Sequence, residues 1–455
     1  MTEITNSKNM RSFLIIWIGQ VISILGSGLT SFALGVWIYQ KSGQATPFAI
    51  TVLFGSLPAV LLGPIAGTVA DRFNRKKVML LADTGNALIT LLAFLLYANG
   101  QLEIWNIYLI ALLGSVFSAF QEPAFAASIV MLVPKKDLQR ANGLSQMSNA
   151  LGNLVPPILA GLLFGLIGLQ GIIIIDFITY FAALGTMLFS RIPQPERIEE
   201  KIKANYWQDA MLGWRYLRLK GGLLGLVFYF ALVNFMINFA TVLSSPMILA
   251  RFSPAVLGTV QTIGGIGMLL GSVVLSIWGG PRKKIKAIIL FVSISSLGLI
   301  LAGLQPNVLL ISMGYFVMLS VIPLASGSSQ AIFQTKIPTE LQGRVFAIRS
   351  MISRSMMPVA FLSAGPLADR VFEPMLREGG ALSGTLIAHL IGVGPGRGIG
   401  FIFILAGLGT LVVNLFTFIN PVIRGIETDI PDVILDLEQN ENSQGYSLQT
   451  EPITK

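Results

Sequence analysis

Charged and strongly polar residues are thinly spread along this chain, and between them lie long runs that are apolar on every face. The runs fall near residues 13–39, 48–70, 78–98, 104–127, 143–168 and 172–190, then resume near 223–249, 256–278, 285–304, 308–333, 345–367 and 398–419. A helix that crosses a hydrocarbon core of about 30 Å needs about 20 residues, whereas a barrel strand needs about ten with alternating polarity. The pattern therefore predicts an all-α polytopic membrane protein with twelve transmembrane helices. The runs group as six and six, which predicts two pseudo-symmetric six-helix bundles at residues 12–190 and 223–420. Around them lie an N-terminal segment at 1–11, a linker at 191–222 and a tail at 421–455.

Composition agrees with a bilayer environment. Of 455 residues, 53% are hydrophobic and 12% charged, against roughly 25% charged in soluble proteins. The formal charge of +9 does not point to nucleic acid, because the cations sit in short loops between apolar runs, where membrane orientation accounts for them. The chain has no cysteine and one histidine, His389, so disulfides, thiolate sites and a histidine metal cluster are excluded, and no cofactor is expected. Residues 1–11 lead directly into a full-length span with no small-residue cleavage site, which predicts that the first span is retained.

The distribution of lysine and arginine sets the expected orientation. With the N-terminus in the cytoplasm, Arg72, Arg75, Lys76, Lys77, Lys135, Lys136, Arg140, Arg282, Lys283, Lys284, Lys286, Lys336 and Arg344 all fall on the cytoplasmic side. The other side receives Lys41, Arg251, Arg370, Arg377 and Arg397, so both termini are expected to be cytoplasmic. The linker holds Leu212, Trp214, Tyr216 and Leu217 at amphipathic spacing, which predicts either an interfacial helix on the cytoplasmic surface or a plain spacer. The tail is rich in Asp and Glu and poor in aromatics, which predicts disorder. The basic run after the second span is echoed by Arg282-Lys283-Lys284 after the eighth. Internal repeats of this kind place a substrate site between two bundles that open alternately to each side.

Two motifs make the pattern recognisable. Gly67-Thr68-Val69-Ala70-Asp71-Arg72-Phe73-Asn74-Arg75-Lys76 resembles the G-x-x-x-D-R-x-G-R-K loop of the major facilitator superfamily, with Asn74 where glycine is usual. Asparagine tolerates the left-handed conformation that the glycine would supply. Gly143, Gly152, Pro156-Pro157 and Gly161 in the fifth span are similar in spacing to the exporter signature of that superfamily, with Pro156 and Ala160 replacing glycines. Gln121-Glu122-Pro123-Ala124, Gly365-Pro366-Leu367-Ala368-Asp369-Arg370 and Gly396-Arg397-Gly398-Ile399-Gly400 resemble phrases of its macrolide-efflux-like branch, which is related to siderophore exporters. The resemblance covers about residues 11–421 and implies a monomeric secondary transporter of a bacterial inner membrane. It also implies a gating role for Gly67, Asp71, Arg72, Arg75 and Lys76. The bland alternatives are that the loop cations only set topology and that the small residues only allow close helix packing.

An ionised group inside a bilayer costs at least about 2.5–3.5 kcal/mol on insertion scales, so each invites an explanation. Glu122 is a proton-carrier candidate, since a carboxyl in apolar surroundings cycles between charged and neutral forms, or else a structural acceptor beside Pro123. Asp83 is a second candidate, or a partner of Arg72 or Arg75; Asp176 is a third. Arg349 and Arg354 either meet partners or an anionic substrate across a cavity, or, for Arg349, snorkel to the interface. Gln20, Asn234, Asn238 and Gln261 are uncharged cavity candidates. No nucleophile, base and orienting group assemble an enzyme, and no G-x-x-x-x-G-K-[ST] segment supports an ATP-driven pump. The sequence thus implies export of an amphiphilic small molecule (a macrolide-like drug, siderophore or peptide-like metabolite) across the lipid bilayer by alternating access in exchange for protons. Rival readings are a proton-independent facilitator or lipid-type translocator, and a receptor or scaffold that signals through its tail.

Overall fold

The computed structural model describes residues 10–134, 137–189 and 206–433, and among these there is no strand. In chain order the first helices are α1 (Met10–Ser42), α2 (Ala45–Arg72), α3 (Arg75–Ala98), α4 (Ile104–Leu132) and α5 (Leu138–Phe189). There follow α6 (Tyr206–Leu219), α7 (Gly221–Thr241), α8 (Ser244–Leu249), α9 (Pro254–Trp278), α10 (Lys284–Leu304), α11 (Val308–Ser320), α12 (Ile322–Lys336) and α13 (Thr339–Leu367). A π-helical turn (Ala368–Phe372), short helices α14 (Glu373–Met375) and α15 (Leu386–Ile391), α16 (Arg397–Ile419), α17 (Pro421–Arg424) and α18 (Ile426–Asp429) complete it. With no water inside a bilayer to pair backbone groups, apolar runs of this length close their hydrogen bonds within each segment, as helices. Large apolar side chains cover the outside, Ile277 being 84% exposed, as expected where lipid replaces water.

Eleven helical stretches are long and apolar enough to cross a membrane, and one of them, 138–188, has 51 residues. A straight helix of that length would measure about 77 Å, more than twice a hydrocarbon core of about 30 Å. It turns back at Gly168, whose φ of 66° lies in the region glycine tolerates. The two limbs run side by side against α1: Trp17 Nε1 donates to the Leu144 carbonyl (2.9 Å), and a Cβ on Gly19 would meet the Thr186 side chain. Further along, Gly28 faces Pro156 and Gly26 faces Asp176. Counting its two limbs separately, the described residues hold twelve stretches long and apolar enough to cross a membrane.

Helices α1 to α5 pack mainly on one another, as do α7 to α16, and the two halves meet chiefly through α5 with α9 and α2 with α13. These are the fifth with the eighth span and the second with the eleventh, pairs that exchange when each half is shifted by six helices. Where they cross, Cβ atoms are missing. A Cβ on Gly161 would lie 2.7 Å from the Pro254 carbonyl oxygen, and one on Gly258 would overlap the Pro157 carbonyl.

The halves are closed on one face only. On the face opposite the N-terminus one apolar core draws on both halves, with Val36, Ala45, Ala49 and Leu53 packed with Met247, Ile248, Phe361 and Ala364. On the N-terminal face each half has its own core, around Phe13, Met79 and Met187 in the first and around Leu226, Phe333 and Val345 in the second. Gly67, Gly143 and Gly343 on that face have nothing within 4 Å of where a Cβ would stand. The cleft between the halves opens to the N-terminal face.

Two sequence expectations are corrected and one is extended. Asn74 is not left-handed: with φ −63° and ψ 109° it is the N-cap of α3, its side chain accepting from Lys77 N, because asparagine caps helices well. The linker does form the helix expected there, and beyond that expectation its apolar face is docked. Leu217 of α6 is fully buried, Tyr216 Oη donates to the Lys336 carbonyl (2.8 Å), and Gly213 faces the Arg344 carbonyl, so α6 belongs to the second half. The tail is not disordered throughout, since residues 421–433 form a docked strap. Ile423, Ile426 and Ile430 are buried, and the Glu427 carboxylate accepts from the amides of Lys284 (2.9 Å) and Ile285 (3.0 Å), capping α10. Lys336 Nζ donates to the carbonyls of Glu427 and Ile430 and pairs with Asp432 at 2.9 Å. The rest of the linker, residues 190–205, and the tail from 434 lie outside the described residues.

Candidate functional site in the cleft between the halves

The cleft has two walls and an apex. The first-half wall is a polar pocket of about 520 Å³ that gathers Gln20, Ser27, Asp83, Asn86, Thr90, Gln121, Glu122, Asn149, Asn153 and Asp176 from α1, α3, α4 and both limbs of α5. Among the described residues three carboxyl groups and no cation line it. The second-half wall is a pocket of about 490 Å³ lined by Phe230, Asn234, Phe291, Ser295, Gln330, Phe346, Arg349, Ser353 and Arg354, with no carboxylate among the described residues. At the apex, about 410 Å³ is shared by both halves, between Gly28, Ser31, Gly152, Pro156 and Pro157 on one side and Ser245, Leu257 and Gln261 on the other.

Asp83 is buried in α3 and held by neutral donors. Gln20 Nε2 donates to Oδ2 (3.0 Å) and Gln121 Nε2 to Oδ1 (2.8 Å), while Gln121 also reaches Gln20 Oε1 (2.5 Å). The alternative of a partnership with Arg75 does not hold: that guanidinium donates to the carbonyls of Ala70 (3.3 Å) and Ala127 (2.9 Å). Asp176 is equally buried and accepts from Ser27 (3.1 Å) and Thr90 (3.3 Å). Glu122 is exposed to the cleft and makes no hydrogen bond or ion pair among the described residues. Carboxylates held only by amides and hydroxyls in a water-poor interior gain hydrogen bonds but no charge compensation. A proton or a cationic group would supply it.

On the opposite wall Arg349 does not snorkel. Its Nη atoms donate to Gln330 Oε1 and Ser329 Oγ, each at 3.0 Å, and its guanidinium stacks over Phe333 at 4.4 Å and near Phe346 at 5.9 Å. These cation–π contacts stabilise it without an anion. Arg354, one turn further, makes no hydrogen bond or ion pair among the described residues. Asn238 does not line the wall; its amide donates to the Asn234 carbonyl (2.7 Å). In the basic loop, Lys76 Nζ donates to the Leu188 carbonyl (3.3 Å), and the side chains of Asp71 and Arg72 lie outside the described residues. Of the exporter motif, Gly152, Pro156 and Pro157 line the apex and Gly161 sits in the α5–α9 crossing, whereas Gly143 is far from both.

Gln121 was not singled out as a site residue, although it ties Asp83 to Gln20. Its signal was the amide itself, a polar group in an otherwise apolar run, one residue before the charge that drew attention. Ser27 and Thr90 carry no such signal, because hydroxyls in transmembrane helices commonly bond their own backbone.

Comparison with known proteins places this geometry. The family model of the Major Facilitator Superfamily matches residues 16–361. Macrolide efflux protein A of Streptococcus pyogenes is 28% identical over 396 residues, 84% of this chain and 95% of that protein. Multidrug efflux pump Tap of Mycolicibacterium fortuitum is 24% identical over 383 residues, 80% and 91% of the two chains. Among solved structures, a bacterial homolog of the human lysosomal transporter Spinster, inward-facing and unoccupied, shares the fold with a TM-score of 0.65 at 14% identity, covering 94% of this chain and 98% of that one. These relatives are transporters, not enzymes, and with twelve stretches of membrane-crossing length and a cleft between two helical halves, this chain belongs to the Major Facilitator Superfamily.

Proposed function

We propose that the protein exports an amphiphilic small molecule from the cytoplasm, with protons moving inward in exchange, and that the N-terminal face is the cytoplasmic one. The observation that carries the reading is the cleft. It opens to the face expected to be cytoplasmic, offers aromatic and aliphatic surface on the second-half wall, and holds Asp83 and Asp176 without a cation on the first. Phe230, Phe291 and Phe346 provide adaptable apolar contact, which suits cargo related to that named for the macrolide and multidrug efflux relatives. Cargo and proton need no common contact. Each has only to bind one of the two cleft openings better than the other to shift their balance.

The sequence favours Glu122 as the proton carrier; burial and hydrogen bonding favour Asp83 and Asp176, with Glu122 exposed in the same pocket. The test is cargo-driven proton movement in proteoliposomes, with a pH-sensitive dye inside and erythromycin as the first cargo. Wild type is expected to move protons with the cargo, Asp83→Asn to lose that coupling, and Glu122→Gln to slow it. Cargo flux without proton movement in wild type would overturn the exchange.

A further inference from the structure

We propose that Asp369 is the latch of the gate on the face opposite the N-terminus, acting as a helix N-cap that one half of the protein lends to the other. The inference rests on the two-sided opening and the orientation of the proposed function, but not on its cargo or its protons.

The first amides of a helix have no partner within it. Helix α2 starts on the closed face, and its own N-cap residue, Gln44, makes no side-chain cap. The cap comes instead from the second half. Asp369 Oδ1 accepts from Ala45 N (2.9 Å), and Oδ2 accepts from Thr46 N (2.8 Å) and Thr46 Oγ1 (2.5 Å). A carboxylate at a helix N-terminus also meets the positive end of the helix dipole. Two backbone features bring it there. Gly365 lets α13 approach until a Cβ would stand 2.6 Å from Thr46 Cα, and the π-helical turn Ala368–Phe372 re-aims the carboxylate past the end of α13.

Among the described residues every donor to Asp369 lies in the first half, so all three bonds break if α2 and α13 part on this face. Glu373, four residues on, is the same device used differently. It accepts from Gly396 N (3.0 Å) and Ile399 N (2.9 Å), capping α16 within its own half, and those bonds survive any opening. The sequence marks the latch as well: Gly365-Pro366-Leu367-Ala368-Asp369-Arg370 repeats the G-x-x-A-D-R of Gly67-Thr68-Val69-Ala70-Asp71-Arg72. One copy ends α13 on the closed face and the other ends α2 on the open face, on two helices that pair across the interface.

The chain has no cysteine, so a single introduced thiol reports without background. Ser245, buried at the apex beneath the closed face, is replaced by cysteine and labelled in intact bacterial cells with a membrane-impermeant maleimide. Adding Asp369→Ala is expected to raise the labelling rate on the order of tenfold, the equivalent of one lost N-cap. Thr46→Val, which removes one of the three bonds and keeps the charge, is expected to raise it about threefold. Glu373→Ala is expected to leave the rate unchanged while lowering thermal stability. A rate in Asp369→Ala equal to the parent, or an equal acceleration by Glu373→Ala, overturns the latch. Should Asp369→Ala fail to accumulate, an unchanged rate in Thr46→Val overturns it equally. Labelling needs no cargo, so a protein that fails every transport assay still answers the question.

Discussion

The strap formed by residues 421–433 makes a sharp prediction about where the chain can be cut. Ile426 is 1% exposed and fills space that Gly222 leaves open, since a Cβ there would stand 2.7 Å from its Cγ1. Truncating a buried isoleucine to alanine costs about 2–5 kcal/mol. Removing the Glu427 cap of α10 costs about 1 kcal/mol, and removing Asp432, whose pair with Lys336 is 56% exposed on the acid's side, costs at most about 1 kcal/mol. For a unit of about 200 residues each kcal/mol lowers Tm by about 2–4 °C. Ile426→Ala should therefore lower Tm by roughly 4–20 °C, Glu427→Ala by about 2–4 °C and Asp432→Ala by about 4 °C or less. All described contacts of the strap end at Val433, which donates to the Thr335 carbonyl (2.8 Å). A chain ended after Val433 should thus melt with the full chain, and one ended after Asn420 should melt well below it. The assay is thermal unfolding of purified protein in detergent, followed by light scattering and by recovery of monodisperse protein on size exclusion. Equal melting of the chains ended at 420 and at 433 would refute the reasoning, because the strap would then dock without stabilising anything.

Three further outcomes follow from the cleft. Gly161→Val puts a branched side chain against the Pro254 carbonyl and should separate α5 from α9, lowering cargo flux in vesicles at least fivefold; wild-type flux in that variant would remove the close crossing from the transport cycle. Gln121→Leu leaves one oxygen of the Asp83 carboxylate without its donor and should depress proton-coupled flux on the order of tenfold, a result contradicted by wild-type coupling in that variant. Arg354→Gln should weaken binding of cargo bearing a carboxylate by about tenfold or more and hardly affect uncharged cargo, as read by equilibrium binding of two such probes; equal effects on both would remove Arg354 from the cleft's chemistry.

The spans were legible because a bilayer enforces a single pattern: twenty apolar residues cannot be anything but helix there, and the observed helices cover the predicted runs. The site was legible as a set of expensive residues. Gln20, Asp83, Glu122 and Asp176 come from four different helices, yet share one pocket, because each charge or amide in lipid needs company. Their pairing was not legible. Asp83 was as near in sequence to the basic loop as to anything else, and only the packing of α1, α3 and α4 decides that its partners are amides. The strap was missed for a different reason. Its acidic composition suggested disorder, while Ile423, Ile426 and Ile430, at spacings of three and four, already drew one face of a helical turn. Composition averaged over the tail concealed a local period.

The two walls of the cleft also differ in how their backbones are made. The helices of the first half run unbroken past the pocket, apart from the turn at Gly168, whereas the tenth span of the second half is interrupted between α11 and α12 at Val321, just before Pro323. Val321 and Ile322 at that interruption line the apolar pocket. Under the proposed export, a bulky guest pressed against this side would meet a break in the helix, while on the other side it would meet continuous helices that carry Pro123 and Pro156-Pro157 within them. If the protein exports as proposed, tolerance for varied molecular shapes would reside in the half with the broken span, and discrimination by hydrogen bonding in the half that gathers the carboxyl and amide groups.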